Sequence, residues 1–172
     1  MLLLALGGLS ALAVAMGVGR FLYTPLLPMM EAGLGLSKSQ AGLLASSNFL
    51  GYLVGALLAA SPLVPGSRRA WMLGGLALSA ATTAAMGVAD GMTTFLALRF
   101  AGGVASAFVL VFCSALVVHR LASNGCAAYT PLHFAGVGTG IALSAVLVSL
   151  LAMVAVGWRG MWLASGVLSI GA

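Results

Sequence analysis

The sequence predicts an all-α integral membrane protein of six transmembrane helices, and three observations point there. Hydrophobic residues make up 62% of the 172 and charged residues 5%, against roughly 25% charged in an average soluble chain, so this inventory cannot build a water-facing surface. The charged side chains, Arg20, Glu31, Lys38, Arg68, Arg69, Asp90, Arg99, Arg120 and Arg159, leave long charge-free runs such as residues 1–19, 39–67 and 70–89. A hydrocarbon core takes about 20 residues of helix, so each run can cross it. The runs also lack the period-2 alternation of a barrel strand, and backbone at that depth must satisfy its own hydrogen bonds, which leaves helices. The formal net charge of +5 comes from scattered arginines rather than a basic cluster, so nucleic-acid binding is excluded.

The first span is expected over residues 3–30. Met1 runs straight into Leu-Leu-Leu with no basic region before it, and the apolar stretch outlasts the roughly 7 to 15 residues of a signal-peptide core, so the segment is retained as a span. Pro25 and Pro28 near its end withdraw the donors that would serve the carbonyls of Phe21 and Thr24, which predicts a kink or bend there. The second span is expected over 39–61, between Ser37-Lys-Ser and the Pro62 to Arg69 loop. The third, 70–88, ends at Ala89-Asp-Gly91, and the fourth, 92–118, ends before the His119 to Gly125 loop. The fifth covers 129–156, and Gly157-Trp-Arg-Gly160 leads into a sixth over 160–172. That last span has 13 residues, about 20 Å of helix against a core of about 30 Å. Residues 1–172 are therefore expected to form one six-helix bundle whose sixth helix is incomplete, a fragment of a longer protein.

Arg68, Arg69 and Arg120 follow the second and fourth spans, whereas Glu31 and Asp90 follow the first and third. The positive-inside bias then places the N-terminus in the cytoplasm of a cell membrane, with Lys38 and Arg159 on the outer side diluting the bias. Trp71, Trp158, Trp162 and Tyr129 fall near span ends and are expected to be interfacial anchors.

Two arginines fall inside spans, where each costs about 2.5 to 3.5 kcal/mol at a helix centre on translocon scales and so demands a partner or a wet cavity. Arg20 and Arg99 both lie ~12 to 15 Å below the outer surface by helical rise. Neither has a carboxylate at its depth, because Glu31 and Asp90 sit at loop ends. An anionic solute, acids elsewhere in the protein, or carbonyls freed at a helix break are the available partners. Small and polar residues form one stripe on each of four spans: Gly17, Arg20, Thr24, Leu27; Asn48, Tyr52, Gly55, Ala59; Arg99, Gly103, Ser106, Cys113; and His133, Gly136, Gly140, Ser144. The third and sixth spans carry no such stripe, which predicts four lining helices and two outer ones.

Gly51, Gly55, Gly103, Gly136 and Gly140 are candidate close-packing positions, although among 24 glycines chance supplies several such spacings. His133 is the one side chain in the spans with an unperturbed pKa near neutrality, a candidate proton carrier or a neutral histidine on a carbonyl. His119 is a loop residue. Cys113 and Cys126 have no CxxC or His-x3-His neighbour and read as packing residues, with no metal site and no cofactor motif. Ser144 and His133 stand on one helix and cannot meet, and no HExxH is present, so enzymatic activity is not expected.

The stretches Gly17-Val-Gly-Arg-Phe-Leu-Tyr-Thr-Pro-Leu-Leu-Pro28, Leu36-Ser-Lys-Ser-Gln-Ala-Gly42 and Asn48-Phe-Leu-Gly-Tyr-Leu-Val-Gly55 carry a resemblance, together with Leu98-Arg-Phe-Ala-Gly-Gly103 and His133-Phe-Ala-Gly-Val-Gly-Thr-Gly-Ile-Ala-Leu-Ser144. Over essentially its whole length the chain resembles major facilitator superfamily transporters of the YbfB/YjiJ type. The resemblance implies two six-helix halves around a cavity, working by alternating access, with this chain as the N-terminal half and a C-terminal half missing. It implies cavity positions at Arg20, Asn48, Tyr52, Arg99 and His133, to which the stripe adds Thr24. One departure is the loop after the second span, where the superfamily's usual glycine-aspartate-basic pattern lacks its acid. A small solute, with an anion favoured by the two arginines, is the expected cargo and the lipid bilayer the expected surroundings. An accessory membrane subunit, an inactive truncated product and a dimerising half-size carrier are the alternatives.

Overall fold

A computed structural model describes residues 1–62 and 64–171. Leu63, in the loop after the second expected span, and Ala172, at the end of the sixth, lie outside the described residues. The helices begin and end where local chemistry allows. Helix α1 (Leu2–Leu12) runs through a π-helical segment, Ala13–Val18, and a turn over residues 19–22 into α2 (Tyr23–Leu34). Gly35, with φ of 64°, closes α2 in the left-handed conformation that glycine adopts without steric cost. Helix α3 (Lys38–Ala60) starts in a capping box: Ser37 Oγ accepts from Gln40 N while Gln40 Oε1 accepts from Ser37 N. Ser67 caps α4 (Arg68–Met86), and Gly91 precedes α5 (Met92–Ser123). A 3-10 turn (Ala127–Tyr129) leads into α6 (Thr130–Met153), and α7 is Trp158–Gly171.

Four rods, Leu2–Leu34, Lys38–Ala60, Met92–Ser123 and Ala127–Met153, are long and apolar enough to cross a membrane. In α4 the two leading arginines and the hydroxyls of Ser79, Thr82 and Thr83 dilute the apolar content, and α7 runs for 14 described residues.

The rods run up and down, so alternate loops gather at opposite ends. At one end Leu22, Leu26, Met30, Leu44, Met86 and Phe95 form an apolar core with Met161 and Trp162. At the other, Ala5, Leu12, Val109, Val117 and Leu121 form a second. Between the two lies a polar stratum holding Arg20, Asn48, Ser79, Thr82, Thr83, Arg99 and Ser106, all buried. Trp162 is not an interfacial anchor: it is 1% exposed and its indole N–H points at Met30 Sδ, 3.3 Å away. The azimuth of α7 turns it inward, where its ring fills core space. Both ion pairs among the described residues sit at the first end, Lys38 with Glu31 at 2.7 Å and Arg159 with Asp90 at 2.5 Å. Arg159 also donates to the Gly87 and Ala89 carbonyls at the C-terminus of α4.

The break in the first rod follows from Pro25. Without an N–H at residue 25 the Phe21 carbonyl loses its helical donor. The amide of Thr24 takes that carbonyl instead, at 3.1 Å, and so leaves the Arg20 carbonyl, its own helical acceptor, free. The sequence-based expectation of carbonyls freed at Phe21 and Thr24 thus shifts by one residue at the first site. Arg99 fills the vacancy: Nη1 and Nη2 both donate to Arg20 O at 3.4 Å, and Nε donates to Leu44 O at 3.5 Å. Its guanidinium also lies over the Tyr23 ring, 4.7 Å from the centroid. In return the Arg99 carbonyl accepts from Asn48 Nδ2 at 2.8 Å, so α3, α5 and the broken rod are tied at one level.

Glycines let the backbones close around this tie. A Cβ on Gly103 would fall on the Asn48 and Tyr52 backbone, and Gly51 and Gly55 face the Phe100 and Val104 backbones in the same interface. On the far side, Gly136 and Gly140 admit Leu9 and Ala13, with Gly17 set against Gly140.

Gly140→Val is expected to cost about 1–3 kcal/mol through overpacking, read as an unfolding equilibrium in mixed micelles. Gly138, with open space around it, serves as the control, since Gly138→Ala should be neutral or stabilising there. Arg99→Leu leaves the buried Arg20 carbonyl short of a donor, while Leu44 O keeps its helical amide within α3, and should lose about 1–3 kcal/mol; an unchanged melting temperature would show that Arg99 is not the tie described.

Candidate functional site

Arg20 sits in the turn that the break creates, 8% exposed. Rings surround its head group: its Cζ lies over Tyr52 at 3.9 Å, over Phe49 at 4.8 Å and over Phe21 at 5.5 Å from the centroids. Phe49 and Tyr52 stand three apart on α3, so one helix face presents both. A desolvated cation over aromatic faces gains about 2 kcal/mol or more, which partly offsets its burial. Tyr52 is also the polar side chain that the head group meets. Arg20 Nε has no hydrogen-bond partner among the described residues. No carboxylate neutralises it either, since the chain's two acids are engaged with Lys38 and Arg159.

The other residues singled out from sequence are placed differently. Asn48, 1% exposed, is committed to the Arg99 carbonyl, and Arg99, 5% exposed, is committed to the broken rod. Thr24 is exposed. His133 is fully buried near the second core, its Nε2 3.1 Å from Ser114 Oγ and its Nδ1 against Gly8, where a Cβ would strike the ring. It bridges α1, α5 and α6 and does not share a pocket with Arg20. The structure therefore joins Arg20 with Tyr52, and Arg99 with Asn48, at one level of the bundle.

Sequence reasoning missed Phe49 and Phe21 as partners of Arg20, and Ser114 as the partner of His133. The i, i+3 spacing of Phe49 and Tyr52 beside Asn48 was the available signal. It also left α4 without a polar face, whereas Ser79, Thr82 and Thr83 are buried toward the break, with Ser79 Oγ against Gly19. The two threonines donate to carbonyls of their own helix, a habit that does not announce itself in sequence. Two clefts flank the first rod. One, about 460 Å³, lies between α1, α6 and α7 and includes Ser10, Thr139 and Ser144. The other, about 640 Å³, lies between α1, α4 and α7. Both are mostly apolar, and neither reaches Arg20.

A curated relative, the uncharacterised MFS-type transporter YceJ of Bacillus subtilis (strain 168), is 34% identical over 93 residues, 54% of this chain and 24% of the relative. The match thus spans about a quarter of that relative's length. No solved structure matches the chain. The family model described as uncharacterised MFS-type transporter YbfB matches residues 12–172. With the break in the first rod and both buried arginines inside that match, the chain belongs to the YbfB-type family of major facilitator superfamily membrane transporters.

Proposed function

We propose that the chain is one six-helix half of a secondary active transporter, moving a small anionic solute by alternating access against a second six-helix half. Rocking of the halves would expose a midplane site to each side in turn. In this reading the four rods span the cytoplasmic (inner) membrane together with α4 and α7 as the outer pair, and the N-terminus is cytoplasmic. Arg68 and Arg69 open α4 and Arg120 lies in the last turn of α5. Lys38 and Arg159 at the ion-pair end are each held by an acid, and the basic count favours the opposite end, that of the second core, as the inside.

The observation that carries the proposal is Arg20: a buried cation at a helix break, braced by rings, with no acid to neutralise it among the described residues. Arg99 supports the site by holding the break open. Asn48 holds Arg99 in turn, Tyr52 braces Arg20, Thr24 and His133 are the remaining cavity candidates, and transport rather than enzymatic chemistry is the activity.

In proteoliposomes made with the product of the native reading frame, Arg20→Gln should lower solute flux about ten- to a hundredfold, the loss of one charge-assisted contact of about 1.5–3 kcal/mol, with insertion intact. Unchanged flux would remove Arg20 from the site. For orientation, Lys38 is the chain's one lysine and lies exposed. A membrane-impermeant amine reagent should label it in intact spheroplasts, as read by peptide mass spectrometry, and labelling only after lysis would reverse the topology.

A further inference from the structure

We propose that the Arg20 site takes a monovalent, planar oxyanion carried on an apolar or aromatic body, with the aromatic monocarboxylates as the type case. The inference rests on the reading of Arg20 as the solute-facing charge.

Charge count sets the valence. Of the two buried arginines, Arg99 spends its guanidinium on the carbonyls of Arg20 and Leu44 and on the Tyr23 ring. Of these two, Arg20 is the one whose Nε has no hydrogen-bond partner among the described residues. One cation neutralises one negative charge, and a second negative charge would be brought uncompensated into surroundings that hold no other free cation at this level among the described residues.

Geometry sets the shape of the anionic group. The Phe49 and Tyr52 rings lie 4.8 and 3.9 Å from the guanidinium carbon, so a ligand approaches the planar N–H groups from the side that the rings leave open. That fork matches the two coplanar oxygens of a carboxylate. Contact with the rings also removes rotational freedom that a free arginine would lose on binding, so the head group is preorganised.

The neighbours set the body. Three rings border the head group, while Asn48, the amide at this level, is already spent on the Arg99 carbonyl. A polyol or sugar would lose its hydration and find few partners, at a cost for each unpaired hydroxyl. An apolar or aromatic body loses little and gains ring contact.

The test measures binding of radiolabelled benzoate to the purified native product in lipid nanodiscs. Phthalate serves as the dianion, benzamide as the neutral isostere and benzylamine as the cation. Benzoate should bind, each competitor should bind more than tenfold more weakly, and Arg20→Gln should weaken benzoate more than tenfold. Arg20→Lys keeps the charge without the fork and should weaken benzoate severalfold while still rejecting phthalate. Tyr52→Leu, which leaves the charge in place, gives a second reading should Arg20→Gln misfold, and it too should weaken benzoate. Phthalate or benzamide binding as well as benzoate, or benzoate affinity indifferent to Arg20 and Tyr52, would overturn the inference. Flux separates it from the transporter reading. Arg20-dependent benzoate binding with no solute flux would leave this inference standing and remove transport. Flux of a neutral or cationic solute with no benzoate binding would do the reverse.

Discussion

A single missing N–H organises the middle of this protein. Pro25 cannot serve the Phe21 carbonyl, the Thr24 amide moves over to it, and the Arg20 carbonyl is left to be claimed by a cation from 79 residues along the chain. In an apolar interior an orphaned carbonyl is expensive, and so is an unpaired guanidinium; each relieves the other. The π-helical segment just upstream belongs to the same disturbance, since its wider turns absorb the altered hydrogen-bond register before the regular helix resumes at Tyr23. Everything at this level, including the Asn48 amide on the Arg99 carbonyl, depends on that exchange.

The exchange also separates two arginines that look alike. Arg99 faces inward to carbonyls and becomes part of the framework. Arg20, whose own carbonyl is the anchor point, has its side chain thrown the other way, onto the rings of α3. A charge with no acid and few polar neighbours is stable there because aromatic faces and the surrounding framework hold it. The same features leave it with capacity to bind something else. Framework and candidate site are thus two sides of one backbone break, and a change to either arginine should be felt by the other through the Arg20 carbonyl.

Close glycine interfaces make this geometry possible. Where α3 meets α5 and where α6 meets the first rod, the facing backbones approach within the space of an absent Cβ, and dispersion over such surfaces supplies the cohesion that water would otherwise drive. Two apolar cores, one at each end of the bundle, then clamp the polar stratum between them. His133 lies outside that stratum, and its bond to Ser114 pins the opposite end of the bundle.

The amino-acid sequence determined the helical class, the positions of the rods and the presence of two buried cations without buried acids, because charge spacing and apolar run length are local properties that lipid reads directly. It also placed prolines where the first rod breaks. Which carbonyl the break frees, which arginine takes it, and which way Trp162 and the α4 hydroxyls face were decided by tertiary structure. Each depends on helix azimuth and on partners tens of residues distant, and a side chain such as Thr82 that can bond its own helix leaves no trace of the neighbour it will also meet. The division of labour between Arg20 and Arg99 is therefore a property of the packed bundle. In sequence they are two arginines at one depth, and only the three-dimensional competition for a freed carbonyl tells them apart.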